Sequence, residues 1–198
     1  AVDDRVRSGN VLYIGVSEWR SEEIAAAVKI ADDLGLDRIV SNQPQYSMLW
    51  RVIDAEVLPT CAEYGLGQMV WSPLAQGVLT GKYKPGQPHP VDSRAVSPEG
   101  MHFVSRWLRD DVLEAVAQLA PIAADQGLTM SQLGLAWVLQ NPAVSAAIIG
   151  ASRPQQVAEN VRAVGVELDS DVMAHIDSIL ANVIISDPAR TKSPEDRP

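Results

Sequence analysis

The residues of this sequence that could take part in chemistry cluster at the ends of short apolar runs. Ser17, Glu18 and Trp19 close one run, Asn42 and Gln43 a second, Trp71, Ser72 and Pro73 a third, and Gly150, Ala151 and Ser152 a fourth. All four endings are polar or aromatic rather than plain turns. In a parallel α/β protein the carboxyl ends of the strands are where chemistry sits, so the four endings would converge on one face. The usual reactive groups are thinly spread. His89, His102 and His175 lack paired ligand spacing and read as surface or loop residues, so no metal site is expected. Cys61 falls in a predicted helix and reads as a small buried hydrophobe rather than a nucleophile. Taken alone, Lys82 and Arg94 are solvated surface charges and Trp71 is core, as Trp19, Trp50, Trp107 and Trp137 are read to be.

The elements that must position these endings follow from the hydrophobic pattern. Predicted strands cover 11–17, 38–43, 68–73 and 144–150, nearly continuous apolar runs of the kind buried on both faces. Each is followed by helical periodicity. A helix capped by Ser21 carries Ile24, Val28, Ala31 and Leu34 on one stripe before Gly35 stops it. A second covers 55–64 and stops at Gly65, with Pro59 near its start. The stretch 74–106 is rich in glycine and proline and reads as a long irregular loop, which in a compact domain is usually functional or mobile. Helices over 110–126 and 131–140 come next, the second opened by the capping box Thr129-x-x-Gln132. Another helix begins at Pro154, capped by Ser152 or Arg153, with Val157, Val161 and Val164 along one side. A last one starts near Asp169 and carries Met173, Ile176 and Leu180. From Ser186 the chain is polar, with three prolines and no apolar period, and reads as a disordered or surface tail.

Composition narrows the class. The chain has 198 residues, 46% hydrophobic and 21% charged, which is ordinary for a soluble folded domain. Its net charge of −9 argues against a general nucleic-acid or anionic-membrane surface, so any phosphate site must be built locally. No apolar run approaches the roughly 20 residues of a membrane helix, and no signal peptide is expected. One cysteine rules out an intrachain disulfide and fits a reducing compartment, the cytoplasm by default.

Four segments together resemble, in order and spacing, the second half of the aldo-keto reductases, in the branch that includes the potassium-channel β subunits. They are Tyr13-Ile14-Gly15-Val16-Ser17, Asn42-Gln43-Pro44-Gln45-Tyr46, the run from Trp71 to Tyr83, and Gly150-Ala151-Ser152-Arg153-Pro154-x-Gln156-x-x-Glu159-Asn160. The resemblance covers about residues 3–182. It implies an α/β fold of the (β/α)8 TIM-barrel type, with this chain supplying about strands 5–8, and a cofactor, NADPH, bound across the strand ends. Ser17 and Gln43 would hydrogen-bond the nicotinamide carboxamide and Trp71 would stack on its ring, fixing one face toward the substrate. Ser72, Pro73, Leu74, Ala75, Gly77 and Lys82 would form the loop over the pyrophosphate, with Arg94 closing the belt. Gly150, Ser152, Arg153, Gln156, Glu159 and Asn160 would surround the adenine and the 2′-phosphate, where free amides at a helix start favour an anion. Arg153 adds charge there and favours NADPH over NADH. The residue after Ser17 is usually Asn or Arg in this family. Here it is Glu18, whose carboxylate could accept the carboxamide hydrogens or face solvent.

The family's catalytic Asp, Tyr, Lys and His or Asn come from the first half of the barrel, and no segment here matches them. Tyr13, Tyr46, Tyr64 and Tyr83 lie in second-half motifs, so no catalytic residue is assigned to this chain. Residues 1–9 read as the end of a helix that stops at Gly9. The expectation is therefore residues 1–182 as the C-terminal half of a reductase barrel and 183–198 as a tail. Such a half, with two open edges and one open apolar face, would be completed by the N-terminal half or by self-association. The resemblance implies reduction of a small aldehyde or ketone. A non-catalytic NADPH-binding regulatory or channel-subunit-like module is the alternative.

Overall fold

Four parallel strands, β1 (Gly15–Val16), β2 (Ser41–Asn42), β3 (Gly67–Trp71) and β4 (Val144–Ile148), lie side by side in sequence order in the computed structural model, which describes residues 2–191. Gly15 stands beside Ser41, Asn42 beside Gln68 and Trp71 beside Ile148, with a shift of register between Gln68 and Met69. All four strands were expected, but the first two pair over much shorter stretches. Within the expected strand 11–17, Leu12 and Tyr13 are 82% and 75% exposed. β1 is an edge strand with one neighbour, and the ladder begins only where the Val40 N–H donates to the Ile14 carbonyl at 2.9 Å.

Helices connect the strands. α1 (Val2–Arg7) precedes β1, and Gly9 follows it at φ 73°. α2 (Ser21–Leu34) lies between β1 and β2. Its cap is Arg20, not Ser21: the Arg20 N–H donates to Glu23 Oε2 at 2.9 Å, and the Ser21 hydroxyl instead reaches Glu56. Ile24, Val28 and Ala31 are buried as their spacing predicts, while Leu34 at the last turn is exposed. α3 (Val57–Tyr64) starts two residues later than predicted and ends at Gly65 in the left-handed region, φ 73°. The stretch 74–106 is less irregular than expected. It holds 3-10 turns at Ala75–Thr80 and Arg94–Val96 and a short helix α4 (Pro98–Val104) capped by Ser97.

The single helix expected over 110–126 is two, α5 (Asp110–Ala117) and α6 (Leu119–Asp125). Pro121 sits in the first turn of α6 and has no N–H for the Ala117 carbonyl, so the ladder breaks at Gln118. α7 (Met130–Leu139) opens with the predicted capping box: Thr129 N–H donates to Gln132 Oε1 at 3.0 Å and Gln132 N–H to Thr129 Oγ1 at 3.2 Å. α8 (Pro154–Val161) and α9 (Ser170–Leu180) follow β4, and Asp169 caps α9 by accepting from the Val172 N–H. Beyond α9, Val183 is buried, and the Ile185 N–H donates to the Leu49 carbonyl while its own carbonyl accepts from Arg51. Residues 183–185 thus pack against the segment around Leu49 and Arg51. Residues 192–198, the last seven of the expected tail, lie outside the described residues.

The sheet has two unlike faces. Side chains two apart along a strand share a face. Asn42, Gln68 and Val70 are fully buried under the helices, and Asn42 Nδ2 donates to Gln68 Oε1 at 3.3 Å across β2 and β3. Met69 and Ile148, which alternate with the buried positions, are 37% and 42% exposed, as are Gly15 and Ala146 to similar effect. The stripe expected to bury α8 is also open: Val157, Val161 and Val164 are exposed, because α8 packs on α7 by its other side.

Candidate functional site at the strand ends

The first three strand ends meet through one carboxylate oxygen. Glu18, just past β1, has φ 55°, a left-handed conformation that a non-glycine residue adopts at a cost. Its Oε1 accepts from the Gln45 N–H at 2.5 Å and from the Trp71 indole N–H at 2.8 Å. Burial raises the Glu18 carboxyl above the ordinary Glu range, and the two N–H donors oppose that rise. Ser17 lies beside it, exposed, and its hydroxyl donates to the Gln43 carbonyl at 2.8 Å. The Trp71 backbone is held on both sides: its N–H donates to the Pro44 carbonyl and its carbonyl accepts from the Tyr46 N–H. Ser17, Gln43 and Trp71 are thus brought together as predicted. Glu18 is half-buried, and its Oε1 turns to Trp71 rather than to solvent.

The segment after β3 is the most contorted in the chain. Ser72, Ala75, Gln76 and Gly77 have φ of 54°, 46°, 60° and 95°. For the three non-glycine residues this costs about 1 kcal/mol or more each. The surrounding packing holds it. Pro73, Ala75, Val78 and Leu79 are buried, the Gln76 amide donates a short hydrogen bond to the Ser72 hydroxyl, and Thr80 Oγ1 donates to the Gly77 carbonyl. Leu74 lies against α7 where Gly134 has no side chain; a Cβ there would stand 2.9 Å from Leu74 Cδ2. Gly77 is needed twice over. Its φ suits glycine, and a Cβ would lie 3.2 Å from Lys82 Cε and 3.4 Å from Lys82 Nζ. The Lys82 ammonium therefore rests over a bare patch of backbone.

The β4 end brings the remaining cations near. Arg94 Nη2 lies 3.9 Å from where a Cβ of Gly150 would be, and Arg153 Nη1 lies 3.9 Å from Asp92 Oδ2. Here the structure departs from the expected free amides. Gln156 Oε1 accepts from the Ser152 and Arg153 N–H groups at 2.8 and 3.2 Å, closing the helix start on itself. The Glu159 carbonyl accepts from Gln132 Nε2 at 2.9 Å, which ties α8 to α7, and Asn160 is buried. Two site contacts were not legible in the sequence. Glu18 stood out as a departure from the usual Asn or Arg, and Gln76 lay inside the matching run without a role; neither bond follows from spacing, because both depend on left-handed backbone.

Elsewhere, among the described residues, no group of three or more His, Cys, Asp or Glu could hold a metal ion. Burial pushes the Tyr46 phenol well above its usual value, and Asp54 adds to the rise, so it is a poor acid. Cys61 is buried and its thiol is pushed up by the same cause. Among the described residues no helix is long and apolar enough to cross a membrane.

Comparison with known proteins shows the family. The family model described as "Aldo/keto reductase family" matches residues 1–181. A probable voltage-gated potassium channel subunit beta of Oryza sativa subsp. japonica is 40% identical over 93% of this chain and 56% of its own length. The Arabidopsis thaliana protein of the same description is 43% identical over 81% of this chain and 49% of its length. A putative voltage-gated potassium channel subunit beta of Schizosaccharomyces pombe is 40% identical, over 88% and 52%. The chain thus spans about half the length of the curated relatives it matches. By this match, and by the identity to these relatives, the chain belongs to the aldo/keto reductase family.

Proposed function

We propose that this chain is the cofactor-holding half of an NADP(H)-dependent aldo-keto reductase barrel, and that it acts together with a half supplying the remaining strands and the catalytic Asp, Tyr, Lys and His. The observation that carries the reading is the strand-end arrangement itself: an indole fixed by Glu18, a contorted loop with Lys82 over Gly77, and Arg94 beside Gly150. Each suits one part of the nucleotide. Trp71 would stack on the nicotinamide, with Ser17 and Gln43 at its carboxamide. Lys82 and Arg94 would meet the pyrophosphate, and Arg153, Gln156, Glu159 and Asn160 the adenosine end. The bound cofactor would supply the hydride for reduction of a small aldehyde or ketone. This chain's residues orient the ring and neutralise phosphate charge; none takes the substrate's proton.

The open face of the sheet and the exposed valines of α8 support the half-barrel part of the proposal, since a closed (β/α)8 barrel would cover both. A second reading is an NADPH-binding module that senses the nucleotide, and the names of the relatives support its channel-subunit part alone. A buried, unpaired Cys61 fits a cytoplasmic setting for either.

Calorimetry tests the shared cofactor claim. NADPH should bind the chain in the micromolar range and more tightly than NADH, with an affinity that falls as salt rises. Equal binding of the two nucleotides, or none, would refute it. Turnover separates the two readings: with the completing half added, the reductase reading predicts aldehyde-dependent NADPH oxidation, and the sensing reading predicts binding without it.

A further inference from the structure

Trp50, Trp107 and Trp137 are fixed by burial, at 5%, 1% and 5% exposure, and their indole N–H groups have no hydrogen-bond partner. Trp71 is different. It stands at a strand end, only partly buried, where packing alone leaves an indole free to flip about its second torsion. Its N–H is held by a carboxylate, at 2.8 Å, and the same oxygen takes the Gln45 backbone N–H. Glu18 reaches that position only from a left-handed backbone, φ 55°. Strain kept at a candidate site points to a use for it.

We propose that Glu18 is a positioning residue of the nucleotide site: its carboxylate clamps the N–H edge of Trp71 to the backbone after β2, fixing the plane of the ring and holding a negative charge beside it. One atom thereby joins the ends of β1, β2 and β3. A carboxylate acceptor makes a shorter and stronger bond than a neutral one, so the indole keeps one orientation while the site is open. The charge has a further consequence that rests on the function proposed above. Oxidised nicotinamide carries a positive charge on its ring and the reduced ring is neutral, so Glu18 favours the oxidised cofactor over the reduced one.

The clamp is tested on the chain alone. In a spectrum of the protein labelled with ¹⁵N at its tryptophan indoles, Trp71→Phe identifies the Trp71 signal by its loss. Glu18→Asn keeps a residue that tolerates left-handed backbone but cannot span to the indole. It should speed solvent exchange of the Trp71 N–H by about tenfold or more, as the loss of one charge-assisted hydrogen bond does, and leave the other four indoles unmoved. Glu18→Gln restores an acceptor and should restore most of the protection. Unchanged exchange at Trp71 in Glu18→Asn, or equal acceleration at all five indoles, would overturn the clamp. The charge is tested by affinity: Glu18→Gln should weaken NADP+ relative to NADPH by roughly three- to tenfold, and an unchanged ratio would overturn that part. If no variant binds either nucleotide, it is the proposed function that fails, and indole exchange alone still decides the clamp.

Discussion

The loop after β3 and the loop after β4 both belong to the candidate nucleotide site, yet they are built in opposite ways. The first is pressed into the core: Pro73, Ala75, Val78, Leu79 and Tyr83 are buried, and the backbone between them is held in conformations it would not choose. The second is exposed from Gly150 to Gln155, and the Ser152 and Arg153 N–H groups are taken by its own Gln156. In the proposed binding mode this division gives the site a preformed end for the ring and pyrophosphate. Its other end must exchange an internal hydrogen bond for a ligand. Preorganisation is therefore concentrated where the hydride would be delivered, and adaptability where the nucleotide is only anchored.

Substitutions can break that comparison. Leu79→Ala removes a fully buried side chain beneath the β3 loop and should cost about 2–5 kcal/mol, which thermal unfolding would report as a fall in Tm of roughly 5–15 °C. Trp71→Ala should leave stability nearly intact and weaken NADPH binding by roughly five- to a hundredfold, the range of one lost aromatic stack. Gln156→Ala should cost only about 1 kcal/mol, the worth of a helix cap. A loss from Gln156→Ala as large as that from Leu79→Ala would show that the two loops are equally integrated, and the contrast would be wrong.

The smallest effect sharpens the Glu18 part. Its carboxyl is raised in the folded chain, so folding favours its protonation more than the unfolded chain does. Stability from this group is fully present below the ordinary Glu range and is lost as pH rises through the raised value. Glu18→Gln, which cannot ionise, should lose this dependence. The Tm of the parent chain should fall relative to Glu18→Gln as pH is raised from about 4. A parallel course of the two curves would mean that burial does not strain this carboxylate.

Much of this architecture could be read from local pattern. The Thr129 and Gln132 capping box, the stops at Gly35 and Gly65, and the four parallel strands each follow from a signal within a few residues. What escaped depended on partners far away in sequence or on unusual backbone. The break at Gln118 needed the missing N–H of Pro121 to be weighed against a continuous apolar stripe. The exposed valines on α8 have the period of a buried helix but no layer to bury them. Ser21 looked like the better cap, yet Glu23 reaching back to the Arg20 N–H decided the helix start. At the site, the motif placed Ser17, Gln43 and Trp71 at strand ends, which is where they stand. It could not show Glu18 bonded to Trp71 across 53 positions.

The account stands most directly on whether Trp71 meets the nicotinamide. Titration of the chain with NADPH, followed by tryptophan emission, should give saturable quenching, and Trp71→Phe should abolish most of it while the other four tryptophans still report a folded protein. Absence of quenching at millimolar NADPH, or the same quenching in Trp71→Phe, would contradict the account.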